Sequence, residues 1–527
     1  MLITADSPWP PPGHDRLRTR WQAYRALWSA DTKEIEQRLP TVVPNGYWDK
    51  RKKHPETRAM HSGLALDIAR TSADLVAGDT PALDWGEDRG KPDAPLPTPM
   101  QDAWDEYAQT VGLANTLLEG AGAAAALGGV LLRPAWDTRL ASHALPTVVP
   151  VDEALPEFIF GVLWRCAFVQ RLPAPNGWTQ REQGEVWRWI EHHEPGQIRH
   201  ELWLGNESSI GSLRPLAEHT ATAGFEAVID TTAIRPNGIL VEHWPNGEPD
   251  PLTEGMPLGR SVFQGCESRL DALDEAWASW MRDIRLGKSR ILAAQEMLDA
   301  VPGGATGTIR RLFGGRQPAK TFDDDAEVFV GVPGMPMDEA GKPTPITPVQ
   351  FQIRYAEHAA TVAALVEDVL SRAGYSPQTF GINVDGQLSG TAMRRREQRS
   401  YRTRDRQRRY GRSPLERFCE TLAIINHKLD PATYPAPPQR PVLHWREGDQ
   451  ADPKESAEIA EIYRRALLLS DEIGVAMAHP EWGPEQIAEE VARLADAREA
   501  ERAALTAPAL DGTEPPPGAG GPPDGEE

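Results

Sequence analysis

The chain has 527 residues, of which 40% are apolar and 17 are tryptophan, and its formal net charge is −21. The length exceeds what a single hydrophobic core serves, so two or more domains are expected, and the apolar content excludes a wholly disordered chain. The acid excess argues against tight, sequence-independent DNA binding by the chain as a whole, because phosphate affinity comes from Lys and Arg; it still allows a protein that surrounds DNA without gripping it.

Taken in chain order, residues 14–40 read as a helix with Leu17, Trp21, Tyr24 and Leu27 on one face. The opening MLITADSPWPPPGHDR has no basic segment followed by an apolar one, so no signal peptide is expected. A Pro-rich turn at Pro40–Asn45 leads to a second helix over 56–77, with Met60, Leu64, Ile68 and Leu75 at helical spacing and Pro81 beyond its end. A third helix within 98–126 ends at Gly128-Gly129, and VLLRPAWD (130–137) reads as a strand. The weakly polar run Leu113–Leu132 contains Gly, Asn and Glu and is expected to be a buried helix, not a membrane span. Two strand-like runs surround Pro156 in 147–171, and alternation on both sides of Pro195-Gly196 in 187–205 signals a β-hairpin.

The second half is more helical. A long helix over 266–292 repeats Leu270, Leu273, Trp277, Trp280, Ile284 and Ile291 at three- and four-residue steps. Residues 301–348 are rich in Gly and Pro, with strand-like runs at Thr308–Phe313 and Glu327–Val332; a helix over 349–374 follows, closed by Gly374. After a Gly/Ser/Asn loop at 375–391 come a very basic helix from Thr391 to Arg409 and a further helix, Pro414–Leu429. YPAPPQRP (434–441) reads as a rigid linker, 453–503 as helical and 506–527 as a disordered tail. The expected class is therefore α+β.

Catalytic patterns are missing. No phosphate-binding G-x-x-x-x-G-K-[ST], no G-x-S-x-G, no H-E-x-x-H and no dinucleotide fingerprint occurs; LFGGRQPAKT (312–321) lacks the second Gly beside its Lys. Cys166, Cys266 and Cys419 are far apart with no CxxC pair, so buried thiols are expected, not a zinc site or a disulfide framework. A regular turn would bring His192 and His200 to one face, with His193 nearby, but surface histidines are the expected reading. Asp323, Asp324 and Asp325 read as a solvated turn in preference to a magnesium site. The sharpest feature is MRRREQRSYRTRDRQRRYGR (393–412), with ten Arg and two acids, in which Arg395, Arg399, Arg402, Arg406 and Arg409 share one helix face. Such a face suits phosphate or an acidic neighbouring chain, or ion pairs within the protein itself.

The layout resembles the portal proteins of tailed bacteriophages, in particular the siphophage-type family, over roughly residues 15–500. The resemblance is carried, in the family's order, by HSGLALDIARTSADLVAGDTPAL (61–83), LLEGAGAAAALGGVLLRPAWD (117–137), HEPGQIRHELWLG (193–205), SRLDALDEAWASWMRDIRLGKSRIL (268–292), AGYSPQTFGINVDGQLSGTAMRRREQRS (373–400) and HWREGDQADPKESAEIAEIY (444–463). It implies a portal fold: a wing over 1–265 and 392–440, a helical stem over 266–288 and 349–373, and a β-rich clip over 289–348. A tunnel loop over 374–391, an α-helical crown over 441–505 and a disordered tail over 506–527 complete it. The tunnel loop would line a channel with Asn383, Asp385, Gln387 and Ser389, Asp385 being the only charge among them.

The same resemblance implies a homo-oligomeric ring of about twelve copies, whose summed charge of roughly −250 would repel stray nucleic acid. Acid from Asp271, Asp274, Glu275, Asp283, Glu357, Glu367 and Asp368 in the stem would keep passing double-stranded DNA from sticking. The implied partners are that DNA, the large terminase, the major capsid protein and scaffold, and a head-tail adaptor. The implied place is the capsid portal vertex of the virion, after assembly in the bacterial host cytoplasm, with no membrane. No enzymatic activity, metal or cofactor is implied. Two other readings compete: a nucleic-acid-binding protein acting through 393–412, and a metal-dependent hydrolase using Asp323–Asp325 or the histidines.

Overall fold

A computed structural model describes residues 3–11, 15–53, 58–86, 99–174, 184–253, 255–286, 290–294, 330–332, 347–349, 353–382, 390–445, 461–463, 465, 470–478 and 484–506. The chain is α+β and divides into two compact units, Met1–Arg446 and Glu447–Glu527.

The first expected helix is two, α1 (Asp15–Ser29) and α2 (Thr32–Arg38). Ala30 has φ +54°, and the Asp31 carboxylate accepts from the Lys33 and Glu34 amides, so an N-cap interrupts the apolar periodicity. Leu17, Trp21, Tyr24 and Leu27 are buried, and the Trp21 indole donates to the Leu127 carbonyl at 3.1 Å. Next comes α3 (Tyr47–Lys53). The helix expected from residue 56 begins only at α4 (Leu64–Ala77), after Gly63 at φ +74°. Strand β1 (Ala82–Asp84) precedes α5 (Pro99–Thr110) and α6 (Leu113–Leu127), which are separate because Gly112 turns the backbone left-handed between them.

Alanine and glycine in α6 allow close packing against α4 and against the strands that follow. β2 (Gly129–Ala135) pairs antiparallel with β3 (Leu145–Pro150). β4 (Ala154–Ile159), β5 (Val162–Leu172), β6 (Val186–Glu194), β7 (Gln197–Gly205) and β8 (Ser212–Arg214) then form a meander in that order, with β9 (Val228–Asp230) pairing the other end of β7. Pro156 lies in β4, on the outer edge of this sheet, where a strand tolerates proline. The expected hairpin is present, with Glu194 opposite Gln197 across the two-residue Pro195-Gly196 turn. β10 (Glu242–Pro245) returns to pair with β2.

α7 (Glu267–Leu286) stops before Ile291, which lies in strand β11 (Arg290–Ala294) and not on the helix as expected. β11 pairs parallel with β12 (Val330–Val332) and antiparallel with β13 (Thr347–Val349). Of the two strand-like runs in this insert, the second contains β12; Thr308–Phe313 lies outside the described residues. α8 (Tyr355–Ala373) closes at Gly374, φ +93°, as its sequence predicts.

The basic helix and the one after it are a single helix, α9 (Gly390–Leu429), running through Pro414. Packing on both sides of the proline outweighs the lost backbone bond. Before it, Gly411 lies so close to Trp244 that a Cβ would fall 2.5 Å from the indole nitrogen. After it, Leu415, Phe418, Cys419 and Leu422 are buried, and Arg417 reaches the buried Glu242 at 2.8 Å. Burying each such apolar side chain contributes about 2 kcal/mol, which together exceeds the ~3 kcal/mol helix penalty of proline. β14 (Val442–His444) then pairs with β1.

In the second unit, α10 (Asp471–Ala478) and α11 (Pro484–Thr506) are joined by an Arg498–Asp471 ion pair. No described helix is long and apolar enough to cross a membrane.

Candidate functional surfaces

α7 and α8 lie antiparallel, since Asp283 near the end of one meets Arg354 and His358 at the start of the other, while Arg269 meets Asp368. One end of the pair is rooted in the core through Leu270, Leu273, Val369 and Leu370, each no more than 1% exposed. At the other end Ile284 is 38% and Tyr355 67% exposed.

The seven acids expected to line a stem fall into three environments. Asp271 and Asp274 face into the subunit, which corrects their assignment as channel acid. Asp271 accepts from the backbone amides of Tyr47 and Trp48 at 2.7 and 3.2 Å, an anion at the start of α3. Burial raises its pKa, and those two amide bonds oppose the rise. Asp274 accepts from the Trp48 indole at 2.9 Å and the Ser62 amide at 2.8 Å, and lies 2.9 Å from His61 Nδ1. Asp283 and Asp368 are partly exposed but paired: Asp283 with Arg354 and His358, Asp368 with Arg269 and Arg372. The His358 hydrogen bond, followed by the Arg354 bond, lowers the Asp283 pKa. Glu275, Glu357 and Glu367 are exposed. Trp280 stacks on His358, with ring centroids 6.0 Å apart and planes 6° from parallel, and on Trp277 at 5.2 Å.

On α9, Arg399, Arg402, Arg406 and Arg409 are exposed along one face, while the side chain of Arg395 lies outside the described residues. Arg399 donates to Ser371 at 2.8 Å and Arg406 pairs with Glu248 at 3.2 Å. Arg402 and Arg409 have no ion-pair partner among the described residues. The opposite face was not legible as functional: Ser400, Thr403 and Gln407 are buried and hold the helix in place. Ser400 accepts from the Ser376 amide at 2.9 Å, Thr403 donates to the Gly374 carbonyl at 2.7 Å, and Gln407 donates to Ser72 and Asn246 at 3.1 and 2.7 Å. Their three- and four-residue spacing was the available signal, masked by the arginines around them. Arg408 is buried as well, bonded to the Val76 carbonyl and lying 5.1 Å over Trp445.

Of the tunnel loop, Asn383, Asp385, Gln387 and Ser389 lie outside the described residues, as do Asp323–Asp325. The hairpin histidines need two corrections. His200 pairs across from Glu191 and His192 from Arg199, so the regular two-residue turn places His192 and His200 on opposite faces. His192 and His193 are also buried, not surface residues; His192 is 3.0 Å from Glu201, and His193 bonds Glu191. Among the described residues no group of three or more His, Cys, Asp or Glu could hold a metal ion. All three cysteines are free and buried. The sequence matches no protein-family model and no curated protein.

Proposed function

We propose that this chain is the repeating subunit of a phage-type portal: a ring that admits and releases double-stranded DNA at one capsid vertex, docking first the terminase and then a head-tail adaptor. One observation carries the reading. Two antiparallel helices are rooted in an α+β body at one end and grow exposed toward the other, where β11 follows α7 and β13 precedes α8. That is the order of wing, stem and clip that the sequence resemblance implies. The chain acts without catalysis in this reading, and the ATP-driven motor is a separate protein. Exposed Glu275, Glu357 and Glu367, with the acidic balance of the whole ring, keep DNA from adhering.

Negative-stain electron microscopy of the purified full chain tests this. Rings with a central hole and a narrow stem are expected. A second reading, nucleic-acid binding through α9, is favoured by the exposed Arg402 and Arg409. It requires monomers or dimers whose DNA affinity falls steeply with salt, and a log–log salt slope that drops by about two when both arginines are removed. Finding that behaviour without rings would overturn the portal reading.

A further inference from the structure

Three arginines from separate parts of the chain meet beside α9. Arg260 precedes α7, Arg372 lies in the last turn of α8 and Arg406 lies on α9; all three line one open cavity of about 90 Å³. A water-sized group needs roughly 10–15 Å³, so the cavity has room for several. The three side chains are exposed, and the charge around them is not balanced. Glu248, the one acid among the described lining residues, pairs with Arg406 at 3.2 Å. Just outside, Asp368 is shared by Arg372 and Arg269, each at 3.0 Å. Arg260 donates to the Gln264 carbonyl at 3.3 Å and Arg399 to the Ser371 hydroxyl at 2.8 Å, both neutral acceptors. Among the described residues these five guanidiniums therefore have two carboxylates between them as ion-pair partners, in a chain whose net charge is −21.

We infer that this cavity is a binding site for a phosphate group. A guanidinium presents its N–H donors in a planar fork that matches phosphate oxygens, and three of them from three elements can surround a tetrahedral anion. Backbone oxygens that would oppose an anion here are already engaged. The Gly374 and Tyr375 amides take the last carbonyls of α8, Leu370 and Ser371. Thr403 donates to the Gly374 carbonyl at 2.7 Å, and the Asn246 side-chain amide donates to the Arg260 carbonyl at 2.7 Å. Glu248 is no lasting obstacle, because it and Arg406 are each about half exposed, and a surface ion pair of that kind is weak enough to open. The site requires neither a ring nor the exposed Arg402 and Arg409.

Calorimetric titration of the full chain with inorganic phosphate, at constant ionic strength set by chloride, tests the site. One saturable binding event is expected. Arg260→Gln and Arg372→Gln should each weaken it about tenfold. Arg402→Gln, on the same helix face but outside the cavity wall, should leave it unchanged. Glu248→Gln should tighten it, a gain that a misfolded variant cannot mimic. No saturable binding, an equal loss from Arg402→Gln, or weaker binding by Glu248→Gln overturns the inference. A short DNA duplex without terminal phosphates then separates the two sources of the group. If phosphate displaces the duplex, and the log–log salt slope of duplex binding drops by about two in the Arg260→Gln, Arg372→Gln double variant, the site takes a nucleic-acid backbone. If inorganic phosphate binds and the duplex does not, it takes free phosphate or a phosphomonoester.

Discussion

The Trp48 indole N–H donates to the Asp274 carboxylate at 2.9 Å, with both side chains fully buried. This bond ties α3 to the root of the α7–α8 pair, and the same carboxylate takes the Ser62 amide. Asp274→Ala strands these donors in the interior and is expected to cost about 3 kcal/mol. Glu275→Ala, one residue on and exposed, should stay within ~0.5 kcal/mol. Thermal melts of the two variants check this; equal losses would mean Asp274 does not anchor the pair.

Gly411→Ala offers a second test because propensity and packing disagree in sign. Alanine favours a helix interior by about 1 kcal/mol over glycine. Against that, the new Cβ would fall 2.5 Å from the Trp244 indole nitrogen. Overpacking of this kind costs about 1–3 kcal/mol, so a net loss is expected, and a rise in melting temperature would show that α9 and β10 separate easily.

The two faces of α9 should respond differently. Gln407→Ala removes buried bonds to Ser72 and Asn246, with an expected cost of about 1–2 kcal/mol. Arg402→Glu with Arg409→Glu should leave stability within ~0.5 kcal/mol per site, and in the portal reading, with this face meeting an acidic neighbouring copy, should reduce assembly as read by size-exclusion chromatography.

Acid should weaken the first unit through His243. Burial lowers its pKa from 6.5 to about 4, and its Nε2 has no hydrogen-bond partner among the described residues. Between those values the unfolded chain binds a proton that the folded one does not, so stability rises with pH across that window. The contribution is fully present above pH 6.5 and falls by about 3 kcal/mol as pH drops through 4. His243→Gln should flatten that part of a stability–pH curve. Asp283 works lower down: His358 and Arg354 depress its pKa, so its contribution holds above the ordinary carboxylate value and is lost as pH falls below it. Asp283→Asn should remove that acid limb.

In the portal reading the insert 289–348 carries the motor and adaptor contacts. Replacing it with a short linker is expected to leave rings intact on microscope grids and to abolish packaging in a reconstituted assay. Continued packaging would place those contacts elsewhere.

Local pattern made some of this legible and long range hid the rest. The Pro195-Gly196 hairpin, the buried face of α1 and the Gly374 cap could be read because each is written within a few residues. The acids of α7 could not be sorted. Asp271 and Asp274 differ from Glu275 only in facing Tyr47, Trp48 and Ser62, more than 200 residues earlier. Pro414 misled for a related reason, since Trp244 and Glu242, which hold the helix through it, are distant in sequence. The hairpin histidines turned on parity: with Glu194 opposite Gln197, residues of equal parity on the two strands cannot share a face.

The pairing of β1 with β14 has a consequence for biosynthesis. Ala82 lies opposite His444, so the strand beside Leu83 is the last piece of the first unit to leave the ribosome. Leu443 then completes the cluster that holds Leu83, Trp85 and Phe418. A nascent chain therefore carries an open seam over the β1 edge until Val442–His444 have emerged, long after β1 itself has left the ribosome.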